Sequence, residues 1–133
     1  MKDQARILLI DRDDEFLSTL KTALEGRGYI VATAASGQDG LEVVRANMPD
    51  LIIMEVMLEN HDTGFSVTHQ LKIDPLFGKI PVLLVSAVAQ ATGYHFTQEE
   101  DGFWMKSDDY LERPIDTDTL LQRVEALLKR DMD

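Results

Sequence analysis

The sequence predicts a doubly wound α/β domain built on a five-stranded parallel sheet, and three observations carry that prediction. Short apolar runs recur along the chain, as expected of strands covered on both faces. Each of the first three is followed by an amphipathic stretch at helical spacing, and turn residues separate the two. Alternation of this kind from end to end implies parallel strands with helices on both sides of one sheet.

The first run is Ile7-Leu8-Leu9-Ile10, which stops at the acidic cluster Asp11 to Glu15. Phe16, Leu17, Leu20, Ala23 and Leu24 then repeat at helical spacing until Gly26 and Gly28 end the pattern. Tyr29 to Thr33 reads as the second strand. Ser36 and Asp39 form a predicted capping box for a helix that turns Leu41, Val44 and Val43 inward. Pro49-Asp50 breaks that helix, and Leu51-Ile52-Ile53-Met54 is the third strand. A helix from about Gly64 to Lys72 is ended by Asp74-Pro75. Pro81 to Val85 is the fourth strand and Tyr110-Leu111 a short fifth. Asp116 or Thr117 caps a last helix with Leu120, Leu121, Val124, Leu127 and Leu128 on one face.

Composition narrows the function. At 133 residues the chain fits one domain, expected to span residues 1–133 with no output domain attached. A net charge of -11 argues against nucleic acid and anionic membrane surfaces as partners, since both would repel it. With no cysteine, thiol chemistry and disulfides are excluded, and no apolar run reaches the roughly 20 residues of a membrane span. A cytoplasmic location is the expectation. His61, His69 and His95 lack zinc-ligand spacing, and no glycine-rich phosphate loop is present.

In doubly wound sheets, ligands sit beyond the carboxyl ends of the strands. That rule selects Asp11-Arg12-Asp13 after the first strand, Glu55 at the end of the third, Ser86 after the fourth and Arg113-Pro114 after the fifth. All four places are polar, directly follow apolar runs and are expected to converge on one pocket.

Those places also carry a family resemblance. "ILLIDRDDEFL", "PDLIIMEVML", "IPVLLVSA" and "DDYLERPI", in that order and spacing, resemble the strand-end motifs of bacterial response-regulator receiver domains, from about Arg6 to Lys129. The resemblance implies a flavodoxin-like receiver fold and a role in two-component phosphorelay signalling. It implies a signalling module with no enzyme activity, and a protein partner such as a sensor histidine kinase or another regulator. In a working receiver, two acidic residues of the first turn hold a magnesium ion. An aspartate ending the third strand accepts the phosphoryl group, which a hydroxyl and a lysine contact.

Carried over by position, Asp11 matches the first acid and Ser86 the switch hydroxyl, while Tyr110 matches the switch aromatic. Three positions depart from the pattern. Arg12 stands where the second acid is expected, Glu55 where the phosphoacceptor is expected, and Arg113 where the lysine is expected. The departures compensate in charge, because Asp11 and Glu55 oppose Arg12 and Arg113. A guanidinium in the metal's place is expected to pair with Glu55 in a bidentate fashion. The Mg2+ site is therefore expected to be lost and no metal or other cofactor is expected, although Asp13 or Asp14 remains as a carboxylate nearby. Glu55 reads either as a phosphomimetic, its longer side chain carrying one negative charge toward the phosphoryl position, or as an ion-paired remnant.

Between Ser86 and Tyr110 the family's fourth helix is expected to be replaced or remodelled. The stretch 87–106 has no helical apolar period, and it gathers Tyr94, Phe96, Phe103 and Trp104. The favoured function is a stand-alone, phosphorylation-independent receiver acting by protein–protein interaction. The alternatives are a receiver that still accepts a phosphoryl group from a histidine kinase, and a small flavodoxin-like enzyme. The absence of a Gly/Ser/Thr-rich loop after the first strand opposes the last.

Overall fold

The computed structural model describes residues 4–87 and 107–132. In chain order its elements are β1 (Arg6–Ile10), α1 (Asp14–Glu25), β2 (Ile30–Ala34), α2 (Gly37–Asn47), β3 (Leu51–Glu55) and α3 (Thr63–Ile73). They continue with β4 (Val82–Ser86), β5 (Asp109–Glu112) and α4 (Thr117–Met132). All strands pair in parallel in the order β2-β1-β3-β4-β5. The expected doubly wound five-stranded sheet is present. The expected remodelling of the fourth helix, and the aromatic stretch with it, lie outside the described residues.

The three central strands are continuous apolar runs because both of their faces are covered. Ile7, Leu9, Leu51, Ile53, Leu83 and Val85 turn to one side, where α1 contributes Leu17, Leu20 and Leu24, and α4 contributes Leu120, Val124 and Leu127. Leu8, Ile10, Ile52, Met54, Val82 and Leu84 turn to the other, against Val44 of α2 and Phe65, Val67 and Leu71 of α3. Fully burying one such aliphatic side chain contributes about 1.5–3 kcal/mol, so these two layers fix the register on which the pocket depends.

Helix ends follow local chemistry with one exception. Asp13 caps α1 by accepting the Phe16 amide, and Asp116 accepts the Thr119 amide and hydroxyl at the start of α4. Ser36 caps α2 through the Asp39 amide at 3.1 Å. The predicted box is only half right, because the second acceptor is not Asp39. Glu59, reaching over from the β3–α3 loop, takes the Gly37 amide at 2.7 Å and the Gln38 amide at 3.1 Å. Burial would raise the Glu59 carboxyl, but these two amides and its own backbone amide together hold it below its ordinary value.

At the end of the sheet away from the pocket, Asp108 gathers several donors. Its Oδ2 accepts the Val82 amide at 2.8 Å and lies 2.7 Å from Lys72 Nζ, while Oδ1 pairs with Arg130 at 2.7 Å. Lys72 also donates to the Ile80 and Gly78 carbonyls. This knot joins α3, β4, β5 and α4 where the chain enters the last two strands.

Candidate functional site: a carboxylate pocket at the strand ends

Parallel register places the site. Ile10 pairs with Met54, so Asp11 and Glu55, each one residue further on, emerge side by side at the carboxyl edge of the sheet. Glu55 pairs in turn with Val85, and Ser86 with Glu112, which brings Ser86 and Arg113 to the same edge. Asp11, Glu55 and Ser86 are buried, at 3%, 4% and 0% exposure. Three of the four sequence-selected places thus hold a buried polar side chain, at the ends of strands otherwise lined by apolar residues.

Arg113 is the organising cation. Its guanidinium pairs with the Asp11 carboxylate through Nη2, reaches Asp13 through Nη1 at 3.4 Å, and lies over the Phe16 ring at 3.8 Å. Its Nε stands 4.0 Å from Glu55 Oε1. The Arg113 amide also donates to the Ser86 carbonyl at 2.8 Å, tying β5 to β4 beside the pocket.

Glu55 is held mainly by backbone. Oε2 accepts the Met57 amide at 3.1 Å, and both oxygens face the Ala87 amide, at 3.0 and 3.3 Å. The carboxylate therefore spans from the end of β3 to the residue that follows Ser86. Burial pushes the Glu55 carboxyl above its ordinary value near 4.5, with Asp11 adding to the rise and the amides and Arg113 opposing it. Asp11 is raised as well, first by burial, against the Asp13 amide and Arg113.

Arg12 corrects the expectation made for it. Its side chain does not fork onto Glu55 but donates from Nη1 to the Leu58 carbonyl at 3.2 Å. Arg12 is exposed on the outer side of the first turn, whereas Glu55 is enclosed and already engaged by two amides. The carbonyl of Leu58, in the β3–α3 loop, takes the guanidinium instead. The loop is thereby fastened twice, by Arg12 at Leu58 and by Glu59 at the start of α2.

Two further predicted residues, Asp13 and Tyr110, take different places around the pocket. Asp13 lies on the exposed rim with Arg113. Tyr110 is half-buried on β5, paired in register with Leu84 and packed on the α2–α3 side of the core. Sequence reasoning missed Phe16, Met57, Ala87 and Glu59. Phe16 had a signal, an aromatic three residues after an acidic cap, but it read as one more member of the apolar stripe of α1.

The sequence profile of the response regulator receiver domain matches residues 7–125. The chain belongs to that family. Among similar proteins, this receiver domain is 38% identical over 125 residues to the DNA-binding dual master transcriptional regulator RpaA of Synechocystis sp., covering 94% of this chain and 49% of RpaA. It is 34% identical over 127 residues to protein PilH of Pseudomonas aeruginosa, covering 93% of this chain and 98% of PilH. The receiver thus spans about half of RpaA and nearly all of PilH. Among solved structures, a response regulator from Chloroflexus aurantiacus superposes with a TM-score of 0.82 at 31% identity, covering 95% of this chain and 98% of that one. The receiver is a module of two-component signalling. No helix among the described residues is long and apolar enough to cross a membrane.

Proposed function

We propose that this receiver signals without aspartyl phosphorylation, with Glu55 as a permanent stand-in for the phosphoryl group, and that it acts by binding another protein. The observation that carries the reading is the reach of the Glu55 carboxylate to the Ala87 amide. In the family, the phosphoryl group lies between the third-strand acid and the switch hydroxyl. Here a side-chain carboxylate, one methylene longer than aspartate, already links β3 to the residue after Ser86. It supplies one negative charge, where a phosphate supplies nearly two.

The residues do not fit a magnesium ion. Asp11 is paired with Arg113, and a guanidinium occupies the second acid's position. Among the described residues no group of three acidic or histidine side chains has the geometry to hold a metal. Without an ion, charge developing on a transferred phosphoryl group would lack a metal clamp, while Arg113 is committed to Asp11 and the Met57 and Ala87 amides to Glu55.

RpaA's name describes a DNA-binding regulator, but the chain spans only half of it, and a charge of -11 repels nucleic acid. A protein partner, such as a sensor histidine kinase or another regulator, in the cytoplasm, is the corresponding proposal. The test is intact mass after incubation with acetyl phosphate, with and without Mg2+. The expected result is no mass gain in the folded protein. A Mg2+-dependent gain of one phosphoryl group would overturn the reading in favour of a phosphotransfer-competent receiver.

A further inference from the structure

α2 and α3 lie side by side on the sheet face opposite α1 and α4, and the seam between them is open to solvent along its length. Two depressions there, of about 400 and about 430 Å3, share Leu41, Arg45 and Gln70, so they form one continuous groove. Its accessible apolar lining is Leu41, Ile73 and Phe77, set over the buried core residues Val44, Val67 and Leu71.

At the end remote from the pocket, both helices finish in exposed apolar residues. Ile73 is 68% exposed, Leu76 65% and Met48 44%. These are three of the four large hydrophobic side chains left exposed among the described residues, the other being Ile30. Single exposed hydrophobics are ordinary, but Ile73 lines the groove itself, beside Pro75 and Phe77, and so offers an apolar contact at that end. The rim is acidic, with Glu42, Glu59, Asp62 and Asp74 against Arg45 alone.

We propose that the α2–α3 groove seats an amphipathic helix of a partner protein, one that carries lysine or arginine flanks and a large aliphatic or aromatic anchor. The anchor takes the Ile73–Phe77 end, and the basic flanks face Glu42 and Asp62. An apolar lining with a charged rim is the arrangement that receives a helix face through residues spaced three and four apart. The 11 residues of α3 span about 16 Å, room for roughly three turns of a third helix laid alongside. A second copy of this chain is disfavoured as occupant, since it would bring its own acidic surface to an acidic rim. This inference rests on the reading that the domain acts by binding protein, and adds the chemistry of the bound segment.

The experiment uses the full chain and a fluorescein-labelled peptide of about 15 residues with leucine and lysine at helical spacing, beside a twin with glutamate for lysine. Anisotropy measures affinity, and amide chemical shifts locate the site. Binding of the lysine peptide alone is expected, with shifts concentrated on α2 and α3. Ile73→Ser and Glu42→Lys should each weaken it about tenfold, a loss of about 1.4 kcal/mol. Glu15→Lys, an equal change of charge on α1, should leave it unchanged.

Absence of binding, equal weakening by Glu42→Lys and Glu15→Lys, or shifts scattered over the surface would each overturn the proposal. So would a dimer seen by sedimentation that Ile73→Ser dissolves, since the occupant would then be a second copy. A failed peptide titration leaves the acetyl phosphate result standing, because that experiment reads Glu55 and not this groove.

Discussion

The guanidinium of Arg113 lies over the ring of Phe16, 3.8 Å from its centroid, while pairing with Asp11 at its edge. A flat, delocalised cation stacks on the ring while its edge donates to the carboxylate, a geometry that a compact lysine ammonium does not reproduce. Arg113→Lys is therefore expected to destabilise the domain by about 1–2 kcal/mol although it keeps the charge. Phe16→Leu combined with it should show a coupling of about 0.5–1 kcal/mol in a double-mutant cycle, read from urea midpoints. Zero coupling would mean that the stack contributes nothing.

Glu55 gives a pH dependence of definite sign. Its folded-state carboxyl is raised, so its contribution to stability is full below its ordinary value near 4.5 and is lost as pH rises through the folded value. Glu55→Gln abolishes that loss. Stability of the Gln variant relative to the parent should therefore improve as pH rises from about 4.5 through the folded value, and level off above it. Denaturant midpoints at several pH values test this, and a constant difference between the two proteins would refute it.

Asp108 should behave in the opposite way. Burial pushes its carboxyl up, but Lys72, the Val82 amide and Arg130 together hold it below the usual 3.8. Its contribution is present above that value and disappears as pH falls through the lower folded one. Asp108→Asn should cost about 1–2 kcal/mol at neutral pH, the lower figure allowing for the exposure of Arg130, and progressively less in acid. Acid titration of the two proteins by circular dichroism should show the gap closing.

Gly64 sets how closely α3 approaches the pocket. Its amide donates to the Val56 carbonyl, and a Cβ there would stand 2.6 Å from both the Glu55 carbonyl oxygen and Val56 Cα. Both obstacles are backbone, so nothing can rotate aside. Gly64→Ala should destabilise by about 1–3 kcal/mol and shift the Met57 and Ala87 amide resonances, since the strand end carrying Glu55 must give way. Unchanged resonances would show that α3 moves instead.

The strands were legible because both faces of the central ones are covered, which leaves unbroken apolar runs such as Ile7 to Ile10 and Leu51 to Met54. Asp11, Glu55, Ser86 and Arg113 were legible for the complementary reason that polar residues ending such runs emerge at one edge. The partners of long side chains were not legible. Arg12 was given the wrong partner because its reach depends on the path of the β3–α3 loop, which no local pattern encodes. Glu59 was overlooked because it caps a helix that begins 22 residues earlier, while Asp39 stood at the position local rules favour. Ala87 acts through its amide, to which side-chain patterns are blind.

The Asp11–Arg113 pair joins residues 102 positions apart, one at the end of the first strand and the other just past the last. The contact needs β5 docked on β4 and β4 joined to β1 through β3, so it is expected late in folding, after the long loop closures that slow parallel sheets. Substitutions at Arg113 should accordingly accelerate unfolding and leave the refolding rate nearly unchanged. In the cell, the same timing would leave the carboxylate pocket open at one edge until the last strand has been made and docked, because Arg113, its organising cation, arrives only with that segment.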